Sequence, residues 1–271
     1  LKVLYTAHGF HFFKGSPKFY WLMYYPMEKL LSRYTDALIT INQEDYDLVK
    51  SHGFKNKATY KIPGIGFNAD RLKKENEGQK KDLRVKIGYN QSDFILIYVA
   101  EFIPRKNHRF IINALPEIIN KIPEFKLLFA GRGRDMNTTR AFAKSIGVEK
   151  YIDFLGFRND IGDLLALSDI GISASKQEGL PLNVAEEMYS GLPVVASEDR
   201  GHKEMIVQGE NGFIFPQNDR KAFVDAIVYL YENHGKRKEM GEYAAKSIQK
   251  FSIENSLKEM VKIYKIYLQQ S

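Results

Sequence analysis

The chain has 271 residues, enough for one large domain or two modest ones, and its 44% hydrophobic and 27% charged residues are those of an ordinary globular protein. It has no cysteine, which excludes disulfides, thiolate metal sites and cysteine nucleophiles and fits a reducing cytosol. A net charge of +7 suits a polyanionic ligand or an anionic membrane surface better than nucleic acid, and no apolar run nears the roughly 20 residues needed to cross a bilayer.

Residues 1–6 read as an apolar strand with neither a lead-in nor a signal peptide, which gives the expectation that the chain continues something longer. An aromatic, glycine-containing loop over 7–15 leads to a helix over 18–34 that Pro26 is expected to kink or divide. A strand over 37–41, a helix over 43–51 and a strand over 58–62 follow. Pro63-Gly-Ile-Gly66 and the charged stretch 71–84 then mark a domain boundary near residues 63 to 70. The remainder alternates more cleanly. Strands are expected over 94–100, 126–130, 151–155, 169–175, 193–197 and 212–215. Helices are expected over 109–121, 138–146, 161–167, 184–190 and 221–232. This β-α-β order implies a parallel, doubly wound sheet with ligands at the carboxyl ends of its strands. A final helix over 253–268 carries Leu257, Met260, Val261, Ile263, Tyr264 and Tyr267 at helical spacing. The expected division is 1–66, 67–252 and a C-terminal helical segment 253–271 that packs back on the N-terminal part.

The segment Glu178-Gly-Leu-Pro-Leu-Asn-Val-Ala-Glu186 is the most informative. It lies between a buried strand and a helix, with Asn183 as the expected N-cap and Gly191 as the C-cap. Glu178 would stand at the sheet's carboxyl edge and Glu186 about one turn into the helix. The amides of Leu182 and Asn183 would then face outward, where free N–H groups and the helix dipole stabilise a phosphate. A helix start flanked by two hydroxyl-seeking carboxylates suits a diphosphate with a sugar on each side, which is a nucleotide-sugar. Glu187 is read as facing elsewhere and is left out of the site.

Taken together, Val99-Ala-Glu-Phe-Ile-Pro-Arg-Lys-Asn-His108, Phe129-Ala-Gly-Arg-Gly133, Phe154-Leu-Gly-Phe157, the Glu178 to Glu186 segment, Gly191-Leu-Pro-Val-Val-Ala-Ser197, Gly201-His-Lys-Glu-Met-Ile206 and Asn211-Gly-Phe-Ile-Phe-Pro216 resemble the retaining GT-B glycosyltransferases of the family-4 group, which includes bacterial capsule and exopolysaccharide enzymes. The resemblance covers about residues 60 to 270. Residues 5–41 resemble only the later part of the family's acceptor domain, with its first portion missing. The implied fold is α/β of GT-B type: a Rossmann-like doubly wound parallel sheet in the C-terminal domain plus a partial N-terminal α/β domain.

The resemblance places Glu178 on the donor sugar's hydroxyls, with Gly179 and Leu180 beside it, and Glu186 on the ribose hydroxyls. It assigns Lys106 to the diphosphate. Where Glu101 stands, many members carry an arginine, so Arg105 is the nearest second cation. His8 would face the sugar, with Gly9 letting the backbone approach the donor. Gly131 and Gly133 would keep the chain low at a strand end, and Phe157 and Arg158 follow the segment whose backbone reads the base. Each has a plainer alternative, as a helix cap, a turn glycine or a solvated charge.

Asp45-Tyr-Asp47 has the D-x-D spacing of metal-dependent sugar transferases but lies on a predicted helix, where positions i and i+2 diverge by about 200°. It is read as a solvated face, and no metal or other cofactor is expected. No nucleophilic carboxylate is evident beneath the anomeric carbon, and the resemblance implies front-side transfer with the leaving phosphate as base. The donor expected is a UDP-sugar, with GDP-mannose second, and the acceptor a glycan or lipid-linked glycan at the cytoplasmic face of the membrane. The aromatic, basic stretch 12–25 suits peripheral contact with an anionic membrane or, equally, packing of the domain core. A nucleotide-sugar 2-epimerase and a non-catalytic nucleotide-sugar-binding module remain the rival readings.

Overall fold

A computed structural model describes residues 2–269; residue 1 of the predicted first strand and residues 270 and 271 of the predicted C-terminal segment lie outside it. The chain divides into two compact units. The first holds the chain up to Phe67, Glu178–Pro181 and the chain from Lys250 onward, and the second holds Asn68–Gln177 and Leu182–Gln249.

The first unit is built on three parallel strands, β1 (Leu4–Ala7), β2 (Ala37–Thr40) and β3 (Ala58–Lys61), in that spatial order. The central strand is buried at every position, which explains its unbroken apolar run. Between β1 and β2 runs helix α1 (Lys18–Leu31), and between β2 and β3 runs α2 (Gln43–Ser51). Pro26 neither ends nor divides α1. The carbonyl that loses its partner belongs to Leu22, a residue 74% exposed, so water can satisfy it. The expected helix instead stops at Leu31, and Ser32–Tyr34 form a 3-10 turn. Within the aromatic stretch 12–25, Phe12 packs a core with Phe10, Leu38, Leu48 and Val49, and Trp21 and Tyr25 pack against it, while Phe19, Leu22 and Met23 are exposed. The C-terminal helix (Ile253–Leu268) lays Ile263 and Met260 against Ile39, Ile41 and Ile62, and Ser256 Oγ donates to the Pro63 carbonyl at 3.3 Å.

The second unit opens with α3 (Glu77–Ile87) and then alternates strand and helix: β4 (Phe94–Val99), α4 (His108–Lys121), β5 (Phe125–Ala130), α5 (Met136–Ser145), β6 (Ile152–Gly156) and α6 (Ile161–Leu167). It continues through β7 (Ile170–Ser173), α7 (Leu182–Tyr189), β8 (Val194–Ser197), α8 (Arg200–Met205) and β9 (Gly212–Phe215), and closes with α9 (Arg220–Glu232) and α10 (His234–Ser247). All six strands are parallel, in the order β6-β5-β4-β7-β8-β9. The chain starts in the middle of the sheet and winds outward first one way and then the other, so the order reverses between β4 and β7. That reversal opens a crevice at the carboxyl ends of these two strands.

The charged stretch 71–84 is not simply a linker, because much of it forms α3, closed by a reciprocal Asn76–Gln79 capping box. Two of its cations turn inward. Arg84 donates to Asp169 Oδ2 at 2.6 Å and to the Leu167 carbonyl at 2.9 Å, and Lys80 Nζ lies 2.9 Å from Asp169 Oδ1. Burial pushes the Asp169 carboxyl up, but the Lys80 and Arg84 charges outweigh it and hold the group below its usual value.

Candidate active site

In the second unit, the loops that follow β4 and β7 are tied together. Tyr98 Oη donates to the Lys106 carbonyl at 2.9 Å and pairs with Ser175 Oγ at 3.1 Å. Arg105 gives Nη1 to the Gln177 carbonyl at 2.6 Å and accepts the Lys176 amide at 2.9 Å. Lys106 thereby ends a 3-10 turn, Pro104–Lys106, at the carboxyl edge of β4. Gly131 and Gly133 follow β5 with φ of +152° and +154°. A Cβ at these positions would lie 2.0 Å from the Ala100 carbonyl oxygen and 2.4 Å from that of Phe102. Both glycines are therefore required for the chain to lie low against the β4 loop. Phe157, past β6, is 59% exposed with the Arg132 guanidinium 5.2 Å from its ring centroid. Arg158 is taken up by Asp160, with Nε 2.7 Å from Oδ1.

Helix α7 begins at Leu182, so Asn183 lies inside it and is not its N-cap. The amides of Leu182 and Asn183 become first-turn amides, which have no acceptor within the helix. Glu186 is half-buried one turn on; burial pushes its carboxyl up and Arg71 opposes this.

Glu187, left out of the expected site, faces inward: it is completely buried. It is held against β7, where a Cβ on Gly171 would come within 2.5 Å of its Oε2. Its carboxylate oxygens and the Asn183 Nδ2 beside it are buried with no partner at full hydrogen-bond geometry, so the nearby Asn183 amide and Val99 N–H act on the carboxylate only as smaller influences. Burial pushes the Glu187 carboxyl well above the carboxylate range, and Glu186 pushes it further; Asn183, Lys106 and the Val99 amide oppose this only in part. The signal was the wheel: at 100° per residue Glu187 falls within about 60° of Val184, on the inward face. A raised folded-state value means that the contribution is fully present below the unfolded value of 4.5 and is lost as pH rises toward the folded one. Glu187→Gln keeps the shape without the ionisation, so this variant should melt higher than the parent at neutral pH, and the advantage should vanish near pH 4 in a melting series.

In the first unit, Glu178, Gly179 and Leu180 lie with the loop after β1. A Cβ on Gly179 would sit 2.2 Å from the His8 carbonyl oxygen. Glu178 is 7% exposed, His8 is exposed, and Gly9 has φ +129°. Asn42 caps α2 by accepting the Asp45 amide at 2.8 Å, and its Nδ2 reaches Asp45 Oδ2 at 2.8 Å and the Gly179 carbonyl at 3.4 Å. Asp45 Oδ2 also accepts the Phe10 amide at 3.2 Å. Asp45 is thus a buried brace, not part of a solvated face, whereas Asp47 is exposed and pairs with Gln43. The expected site residues fall into two groups. Glu178, Gly179, Leu180, His8 and Gly9 share one unit; Arg105, Lys106, Gly131, Gly133, Phe157, Arg158, Leu182, Asn183 and Glu186 share the other.

Residues 79–247 match the family described as Glycosyl transferases group 1. The chain is 42% identical over 267 residues to the protein of Bacillus subtilis (strain 168) named "Putative glycosyltransferase EpsD", covering 98% of this chain and 70% of that protein. It is 29% identical over 235 residues to the UDP-Gal:alpha-D-GlcNAc-diphosphoundecaprenol alpha-1,3-galactosyltransferase of Escherichia coli, covering 85% of this chain and 60% of that one. Among solved structures, Anabaena Alr3699/HepE in complex with UDP matches with a TM-score of 0.85 at 21% identity, over 97% of this chain and 72% of that one. The chain belongs to the glycosyl transferases group 1 family and has the GT-B fold.

Proposed function

We propose that the protein is a retaining glycosyltransferase of the family-4 type, moving a sugar from a UDP-sugar to a hydroxyl of a glycan or lipid-linked glycan in surface polysaccharide synthesis. The observation that carries this reading is the start of α7 beside the topological reversal: its first amides follow Glu178 in the chain, Glu186 stands one turn on, and Lys106 ends the loop of the neighbouring strand. A diphosphate at that helix end is stabilised by main-chain N–H groups, the dipole and one ammonium, with no metal required. UDP in the Anabaena structure and the UDP-Gal donor in the name of the Escherichia coli relative support uridine.

The acceptor oxygen bonds to the anomeric carbon on the face from which the phosphate oxygen departs, and the departing phosphate takes the hydroxyl proton. Catalysis is then positioning plus stabilisation of the charge that develops on phosphate. Calorimetry in the presence of EDTA is expected to show UDP binding ahead of GDP and ADP. Equal heats for all three, or a requirement for divalent metal, would refute the donor assignment.

The exposed face of α1 supports peripheral membrane contact, which for this reading would be at the cytoplasmic face. Phe19, Leu22, Met23 and Met27 are exposed on it and the exposed Lys18 opens the helix, apolar anchors with a cation that attracts an anionic surface. The double variant Leu22→Glu/Met27→Glu should lose co-sedimentation with phosphatidylglycerol vesicles, and full retention would argue that α1 takes no part.

A further inference from the structure

Strand β4 carries Phe94, Leu96 and Tyr98 at alternate positions, and all three join one core with Ile111 and Leu115 of α4 and Phe129 of β5. Tyr98 is completely buried there, its ring centroid 4.9 Å from that of His108 and 6.3 Å from that of Phe129. A phenylalanine would fill this place equally well. What tyrosine adds is a hydroxyl, whose burial is costly unless it is hydrogen-bonded. Tyr98 Oη gives its single proton to the Lys106 carbonyl at 2.9 Å, so in the 3.1 Å contact with Ser175 Oγ the serine is the donor.

Ser175 is itself held in place. It is completely buried, and its carbonyl accepts Ser197 Oγ at 2.6 Å and Gln217 Nε2 at 3.3 Å. Hydrogen bonds thus run from the ends of β8 and β9, through the segment after β7, to Tyr98 and the β4 loop. The backbone of Lys106 is fixed on either side as a result. Its amide donates to the Ile103 carbonyl at 3.0 Å and its carbonyl accepts Tyr98. Asn107, next in the chain, turns into α4 from the left-handed region, at φ 53° and ψ 39°. Such anchoring matters for a lysine, whose ammonium rides on a flexible four-carbon stem.

We propose that Tyr98, held by Ser175, is a positioning residue that sets where Lys106 meets the diphosphate. This role rests on the donor reading above, in which Lys106 faces that group. UDP is the probe, because its terminal phosphate carries the charge that Lys106 would meet and no acceptor is needed. Calorimetry on the full chain compares the parent, Tyr98→Phe, Lys106→Ala and the double variant, each checked by melting. Tyr98→Phe is expected to weaken UDP by about fivefold and Lys106→Ala by about tenfold or more, with the double variant no weaker than Lys106→Ala alone. Binding in Tyr98→Phe as tight as in the parent, or an equal loss from it in both Lys106 backgrounds, would overturn the positioning role and leave the donor reading standing. No UDP binding in the parent, or unchanged binding in Lys106→Ala, would instead remove the donor role of Lys106 and this one with it. Should Tyr98→Phe fail to fold, Ser175→Ala takes its place: it removes only the hydroxyl that braces Tyr98, and the same dependence on Lys106 decides.

Discussion

Lys106→Ala is expected to lower sugar-transfer turnover by about 10²-fold, the usual loss when one preorganised group facing developing charge is removed. Glu101, past β4, is exposed and cannot neutralise a phosphate, and Arg105 commits one guanidinium donor to the Gln177 carbonyl. Lys106 and the start of α7 would then carry the developing charge between them. Because that charge grows only as the glycosidic bond breaks, the loss should fall on kcat more than on KM. Glu178→Ala should cost at least about tenfold by loosening the donor sugar. Wild-type rates with radiolabelled donor, in variants whose melting is unchanged, would refute either role.

The strands were legible in the sequence because most are buried on both faces, as in Phe94–Val99, where apolar runs follow from geometry. The glycines after β5 were legible only in part, since a Gly pair at a strand end reads equally well as a plain turn. Three features were not. The helix α3 was hidden by its own charges, because Lys80 and Arg84 sit on its inward side and mask its periodicity. The helix α10 went unread because it packs through small residues: a Cβ on Gly241 would lie 2.1 Å from the Gly191 carbonyl oxygen, so no apolar stripe is needed. Asp45 was misassigned because a charged residue is presumed to face water, whereas it is buried completely as a brace; Glu187, read only as facing elsewhere, is buried completely where burial favours the neutral form.

The same presumption makes Asp169 the position where a single change should damage the fold most. Its two oxygens meet Lys80 at 2.9 Å, Arg84 at 2.6 Å and the Ile95 amide at 2.8 Å, all within the second unit. Asp169→Ala would leave two cations with little access to water and no counter-charge, a loss of about 3–5 kcal/mol. Chemical denaturation should show this as a lower midpoint with an unchanged slope. The depressed carboxyl also fixes the pH dependence: its contribution is present above the unfolded value of 3.8 and fades as pH falls through the folded one. The parent and the variant should therefore converge in acid. A triple replacement, Lys80→Met/Arg84→Met/Asp169→Leu, separates the pair's net worth from the cost of breaking it. If the network stabilises chiefly by avoiding stranded charge, the triple variant should recover most of what Asp169→Ala loses. A triple variant as unstable as the single one would instead assign the loss to the hydrogen bonds to Ile95 and Leu167, which no apolar side chain can replace.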